Sequence, residues 1–185
     1  MKPESQTEGL RKYLDSLKLL LAFIAAFWVV YIITLFIPLQ QYGLRPRTIS
    51  GLIGIFTSPF FHAGFYHLLA NTLGLFTFGI LFTALEKENA LLLMTEIVIL
   101  QGVLLWLFGR SGNHIGASGL IFGLFGYLLL VGYFHRKIKN VIVSLLVLFL
   151  FGGTIFGILP THPGVSWEGH LYGFIVGCVA AKMKK

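Results

Sequence analysis

Four residues of this chain are of types that do chemistry and stand where a polar group is out of place. Ser118 heads the apolar run in HIGASGLIFGLFGY, His170 heads the run in WEGHLYGFIVG, and His67 and Asn71 head a third in FYHLLANTLG. A serine at a helix start is ordinarily an N-cap, so the hydroxyl alone says little. An imidazole about 3 Å away changes its meaning: the ring takes the serine proton and later returns it to a leaving amine. The tetrahedral anion formed on the way needs hydrogen-bond donors. The Ser118 backbone N–H, the Asn71 amide and the His67 ring are suitable types, and Gly116 frees the backbone to approach them. His67 and Asn71 are four residues apart and share a helix face. Ser118 and His170 are distant in the chain, so only tertiary packing can join them.

The elements that must do this are membrane helices. Of the 185 residues, 56% are hydrophobic and only 11% charged, with a mean hydropathy of +0.84. A soluble domain carries roughly 25% charged residues, so this chain cannot cover a water-facing surface. The expected class is all-α: a polytopic membrane protein, a compact bundle of six transmembrane helices. A span needs about 20 mostly apolar residues, and six runs meet this, at 17–38, 64–85, 90–109, 117–134, 141–159 and 167–183. Residues 1–16 are expected as a cytoplasmic N-terminal segment and 17–183 as one membrane domain. The first run is too long for a cleavable leader. The first connection, near 39–63, is long and itself apolar (GLIGIFTSPFFHAGF), which predicts a segment lying at the interface or dipping against the bundle.

The net charge of +7 does not indicate nucleic acid, because the basic residues flank the apolar runs. All 14 except Arg45, Arg47 and Arg110 fall on one side of the resulting topology. The positive-inside rule therefore puts both termini in the cytoplasm. The second, fourth and sixth spans then all enter from the outer face, and counting loops brings Ser118, His67, Asn71 and His170 to a similar depth. Gly119, Gly123 and Gly126 on one span and Gly169, Gly173 and Gly177 on another are small-residue faces that let helices approach closely.

GASG (Gly116 to Gly119), HAGFYHLLAN (His62 to Asn71), GHLYGFIVG (Gly169 to Gly177) and the loop stretch YGLRPR together resemble the rhomboid family of intramembrane serine proteases, over roughly residues 40–180. The resemblance implies Ser118 as nucleophile and His170 as base, a dyad without a carboxylate. It implies oxyanion stabilisation by His67, Asn71 and the Ser118 amide, and a structural role for His62. It implies membrane proteins as substrates, cut within a transmembrane segment near its outer end, and the bacterial inner membrane as location. It also implies that the fifth span and the loop after it form a gate, with Gly152, Gly153 and Gly157 easing its bending. Where many members carry a tyrosine that stacks on the base, this chain has Phe122, which can stack but cannot donate a hydrogen bond. The alternative is a catalytically inactive relative that binds transmembrane helices. A transporter or channel is disfavoured by the lack of an inverted repeat and of a charged file through the spans.

Other polar residues have plainer readings. His62, His114 and His162 could join His67 and His170 around a metal, but no HExxH pattern or carboxylate cluster accompanies them, so no metal and no cofactor is expected. Glu96, inside the third span, is expected to face the bundle as a structural contact. Glu168 favours the dipole of the last span rather than partnering His170 directly. Arg45 and Arg47 read as outer-loop or headgroup contacts, and Cys178 as packing.

Overall fold

The computed structural model describes residues 3–87, 89–161 and 164–184, so Lys2, His162 and Lys185 lie outside the described residues. Among the described residues seven α-helices follow in order: α1 (Pro3–Thr34), the short α2 (Gly54–Thr57), α3 (Phe65–Glu86), α4 (Ala90–Phe108), α5 (Ser118–His135), α6 (Ile138–Phe151) and α7 (Trp167–Met183). No strand occurs among the described residues, and one isolated antiparallel bridge joins Leu44 to His114. Among the described residues five segments are long and apolar enough to cross a membrane: Thr7–Thr34, Phe65–Glu86, Ala90–Phe108, Ser118–His135 and Ile138–Ile158. At 17 residues, α7 is at the short end of the spanning range of about 17–25. The fold is the expected all-α polytopic bundle. α1 runs unbroken through the boundary expected at residue 16.

α5 is the centre. Its span is 67% buried, against 11% for the segment that begins with α6. Glycines explain how α7 reaches it. A methyl group on Gly173 would collide with the Gly119 carbonyl, and one on Gly177 with the Gly123 carbonyl. The two backbones are therefore in contact along one face, which is what small residues permit in a bilayer, where no hydrophobic effect drives helices together. On the other side of α5, Phe78, Phe82 and Leu75 of α3 pack against Phe125, Tyr127 and Ile121 in the common core. α1 braces α3 through the Trp28 indole, which donates to the Thr72 hydroxyl at 3.2 Å.

The long first connection is folded rather than loose. Leu44 exchanges both backbone hydrogen bonds with His114, at 2.9 and 2.8 Å. The Arg47 guanidinium donates to the Gly109 carbonyl at 2.7 Å and to that of Leu107 at 3.2 Å, capping the end of α4. The Arg45 guanidinium turns back to the Gln41 carbonyl. Both arginines are loop contacts, as one of the two expected readings had it. Leu44, Ile55 and Phe61 are buried against the bundle, while Ile49, Ile53 and Phe56 project outward. This two-sided arrangement suits a segment with protein beneath it and lipid beyond.

One expectation is overturned. Glu96 does not face the bundle; it is exposed on the outside of α4. The buried stripe of this helix is Met94, Ile97 and Gln101, because Ile97 and Gln101 are the residues that fit over Gly123 and Gly119 of α5. That register turns Glu96 away.

Candidate active site

Helices α3, α5 and α7 all begin at one end of the bundle, and their first turns surround an open cavity of about 720 Å³. Its lining includes Phe122 and the four polar residues His67, Asn71, Ser118 and His170, which come from three separate helices and meet in one place.

Ser118 is the first residue of α5, after Ala117 in the cap position, and its side chain makes no capping bond. The hydroxyl is half-buried and forms no hydrogen bond among the described residues. It therefore does not do the ordinary work of a serine at a helix start. Its backbone N–H belongs to the first turn, where amides lack partners inside the helix and the dipole favours negative charge.

His170 is held on two sides. Its ring stacks on Phe122 with centroids 4.2 Å apart and planes 6° from parallel. Its Nδ1 lies 2.8 Å from the backbone carbonyl of Gly157. A carbonyl only accepts, so Nδ1 carries the proton, and the neutral ring keeps a lone pair on Nε2. Gly157 lies in the 3-10 segment Gly152–Ile158 that continues α6. A methyl group there would sit 2.5 Å from Phe122 Cζ, so the close approach requires glycine. Phe122 makes the stack on the imidazole that was expected of it.

The opposite wall is built from α3 and the turn before α5. His67 Nδ1 accepts the Ala63 backbone N–H at 3.3 Å, which leaves Nε2–H as the donor of the neutral ring. Gly116 has φ +108, a conformation that side chains resist, and a Cβ there would lie 2.6 Å from His67 Nε2. Its N–H is anchored to the Ser58 carbonyl at 2.8 Å. The Asn71 amide donates to the His67 carbonyl at 2.8 Å and is itself buried, with one amide proton to spare and Oδ1 unpartnered. Behind them His62 donates through Nδ1 to the Phe60 carbonyl at 3.3 Å. It lies in the connection before α3, and burial pushes its imidazole down to about 4.

Sequence reasoning missed a second polar pair beside these residues. His114 Nε2 lies 2.9 Å from the Arg110 carbonyl and so carries the proton, which leaves Nδ1 to accept the Ser166 hydroxyl at 2.6 Å. His114 and Ser166 are each four residues before Ser118 and His170, so the pair repeats the spacing of the first with the roles exchanged. That regularity was legible in the sequence. Glu168 is buried, and one oxygen lies 3.4 Å from both Arg110 Nε and the Arg110 backbone N–H. It ties the start of α7 to the connection before α5 and does not pair with His170, as expected. Among the described residues no group of three or more His, Cys, Asp or Glu is arranged to hold a metal ion, and His162 lies outside them.

A polytopic helical bundle with serine, histidine and asparagine around a cavity at one end defines the class: an integral membrane protein with a polar site at the head of three spans. Residues 50–184 match the model of the Rhomboid domain family. The chain is 37% identical to an uncharacterized protein of Mycobacterium tuberculosis over 97% of its own length and 79% of that protein's. It is 35% identical to an uncharacterized protein of Mycobacterium leprae, over 97% of this chain and 76% of the other. RHOMBOID-like protein 1 of Arabidopsis thaliana is 33% identical over 65% of this chain and 33% of its own length. The chain belongs to the rhomboid family.

Proposed function

We propose that the protein is an intramembrane serine endopeptidase that cuts transmembrane segments of other membrane proteins near their outer end, with Ser118 as nucleophile and His170 as base. The observation that carries this reading is the His170 ring. It is stacked on Phe122, its Nδ1 proton is committed to the Gly157 carbonyl, and its remaining nitrogen is left for the cavity that Ser118 lines. Ser118 Oγ attacks the scissile carbonyl carbon as its proton moves to His170 Nε2. The resulting oxyanion takes hydrogen bonds from the Ser118 backbone N–H, the spare amide proton of Asn71 and His67 Nε2–H. Gly116 keeps the His67 ring close by lacking a side chain. Collapse breaks the C–N bond, His170 protonates the leaving amine, and water from the cavity hydrolyses the acyl-enzyme. The Ser118–His170 hydrogen bond forms as substrate fills the cavity, as such bonds commonly tighten only in the substrate complex.

A substrate helix hides its backbone in its own hydrogen bonds, so it must unwind where it is cut, and small or helix-breaking residues at the site favour this. In this reading both termini face the cytoplasm, the membrane is the bacterial inner membrane, and the cavity opens outward. The test is reconstitution in vesicles with a panel of transmembrane substrates, combined with labelling by a fluorophosphonate. The wild type should cleave and label; Ser118→Ala should do neither while keeping its fold. Cleavage by Ser118→Ala would refute the nucleophile. A wild type that neither labels nor cleaves would instead favour a rhomboid-like binder of transmembrane helices.

A further inference from the structure

α7 carries the His170 imidazole, yet the close backbone packing of this helix lies beyond the ring. Its tight contacts with α5 are at Gly173, Phe174 and Gly177, all C-terminal to His170. A helix held along one line of contact can still splay at its end, so the first turn needs a hold of its own. Phe122 and the Gly157 carbonyl touch the ring and not the backbone that carries it.

Ser166 supplies that hold. It occupies the N-cap position of α7, where a serine ordinarily spends its side chain on the unpaired N–H groups of its own helix, but it makes no such capping bond. The hydroxyl instead donates to His114 Nδ1 at 2.6 Å, and the Ser166 carbonyl accepts the His170 backbone N–H at 3.2 Å. One residue therefore joins His114 to the backbone of the base. His114 is itself a fixed point. It is buried, its Nε2 donates to the Arg110 carbonyl at 2.9 Å, and its backbone is paired with Leu44 of the first connection. Arg110 tethers the neighbours of Ser166, through the Val165 carbonyl and Glu168, but neither bond reaches the residue whose carbonyl holds His170.

We propose that the His114–Ser166 hydrogen bond is a positioning clamp for the Ser118–His170 chemistry, setting where the base stands relative to the nucleophile. His114 lies in the connection that leads into Ser118, and Ser166 begins the turn that holds His170, so the bond fixes the two segments that carry the dyad against each other. Neither residue attacks the substrate or exchanges a proton with it. A displacement of about 1 Å between reacting groups can cost on the order of a hundredfold in rate. The position calls for a side chain with a donor on one edge and an acceptor on the other, which a neutral imidazole provides. The proposal rests on the proteolytic reading above, and its test separates the two.

The experiment combines steady-state kinetics of the full chain, reconstituted with a transmembrane substrate, and hydrogen exchange of the peptide bearing His170, read by mass spectrometry. Ser166→Ala should lower kcat about tenfold and leave KM within about twofold. Ser166→Thr, which keeps the hydroxyl, should stay within about twofold of the wild-type kcat. His114→Phe keeps a ring without an acceptor and should match Ser166→Ala. The double variant should fall no further, because both changes break one bond. Amides at the start of α7 should exchange several-fold faster in Ser166→Ala and at the wild-type rate in Ser166→Thr. An unchanged kcat in Ser166→Ala, equal losses for alanine and threonine, a loss carried by KM alone, or a double variant reduced by the product of the single effects would overturn the clamp and leave the protease reading standing. A wild type that cleaves nothing would overturn the catalytic role together with that reading, and faster exchange in Ser166→Ala would then mark a bond that only holds the fold.

Discussion

His170 Nδ1–H donates to the backbone carbonyl of Gly157 at 2.8 Å, so the 3-10 tail that continues α6 holds the imidazole of α7 in one tautomer. In the proposed mechanism this carbonyl does the orienting work that a carboxylate does in a triad. It also joins the least buried span to the base directly. A tail displaced to admit substrate would release His170, and the ring becomes competent again when the tail reseats.

Gly157→Ala should therefore damage chemistry more than binding. The added methyl pushes on Phe122 and moves the carbonyl away from His170. The expected result is a fall in kcat of about tenfold, equivalent to about 1.4 kcal/mol, with KM changed less than about twofold. Steady-state kinetics on a reconstituted transmembrane substrate check this, and a rise in KM alone would contradict it.

The seam between α5 and α7 should tolerate no side chain at its tightest point. Gly177→Leu must force α7 off the Gly123 carbonyl, and overpacking of this kind costs about 1–3 kcal/mol. Thermal unfolding in detergent should show a lower Tm and earlier protease sensitivity. Gly153→Ala, with open space around that position, should leave Tm nearly unchanged.

At the other end of the bundle, Lys184 Nζ and the Tyr127 hydroxyl both meet Glu86 Oε1 at 2.5 Å, and the Glu86 side chain is only 1% exposed. Lys184→Met strands a buried carboxylate and should destabilise the fold by about 3–5 kcal/mol. Adding Glu86→Gln removes the stranded charge and should restore much of that loss. A double-mutant cycle of unfolding free energies in detergent measures the difference.

His62 should make the fold acid-sensitive. Its imidazole titrates near the ordinary 6.5 in the unfolded chain and at about 4 in the folded one, because burial disfavours the charged ring. Between those values the unfolded chain binds a proton that the native state refuses. Stability is thus fully present above 6.5 and is lost as pH falls through about 4. His62→Asn keeps a donor for the Phe60 carbonyl and should flatten the decline of Tm with acid over this window.

Much of the bundle is legible in the chain because polar residues are rare in it. Six apolar runs, most of them flanked by basic residues, define the expected spans, and counting connections brings His67, Asn71, Ser118 and His170 to one end. The structure has them around one cavity. The apolar first connection was also recognisable as a segment that must be covered. Its attachment through the Leu44–His114 backbone pair was not, because a main-chain hydrogen bond leaves no mark on residue type. The orienting carbonyl of Gly157 was hidden for the same reason.

Glu96 shows the other limit. In a helix apolar on every side, periodicity does not say which face turns inward, so its carboxyl group was placed toward the bundle. The sequence by itself determined that the chain spans a membrane many times and which polar groups gather at one end, because burying or exposing a few charges in lipid dominates every other energy. Only the tertiary structure decided which face of each helix meets its neighbour. That choice rests on short-range steric fit between residues distant in the chain, as where Ile97 and Gln101 of α4 close over Gly123 and Gly119 of α5.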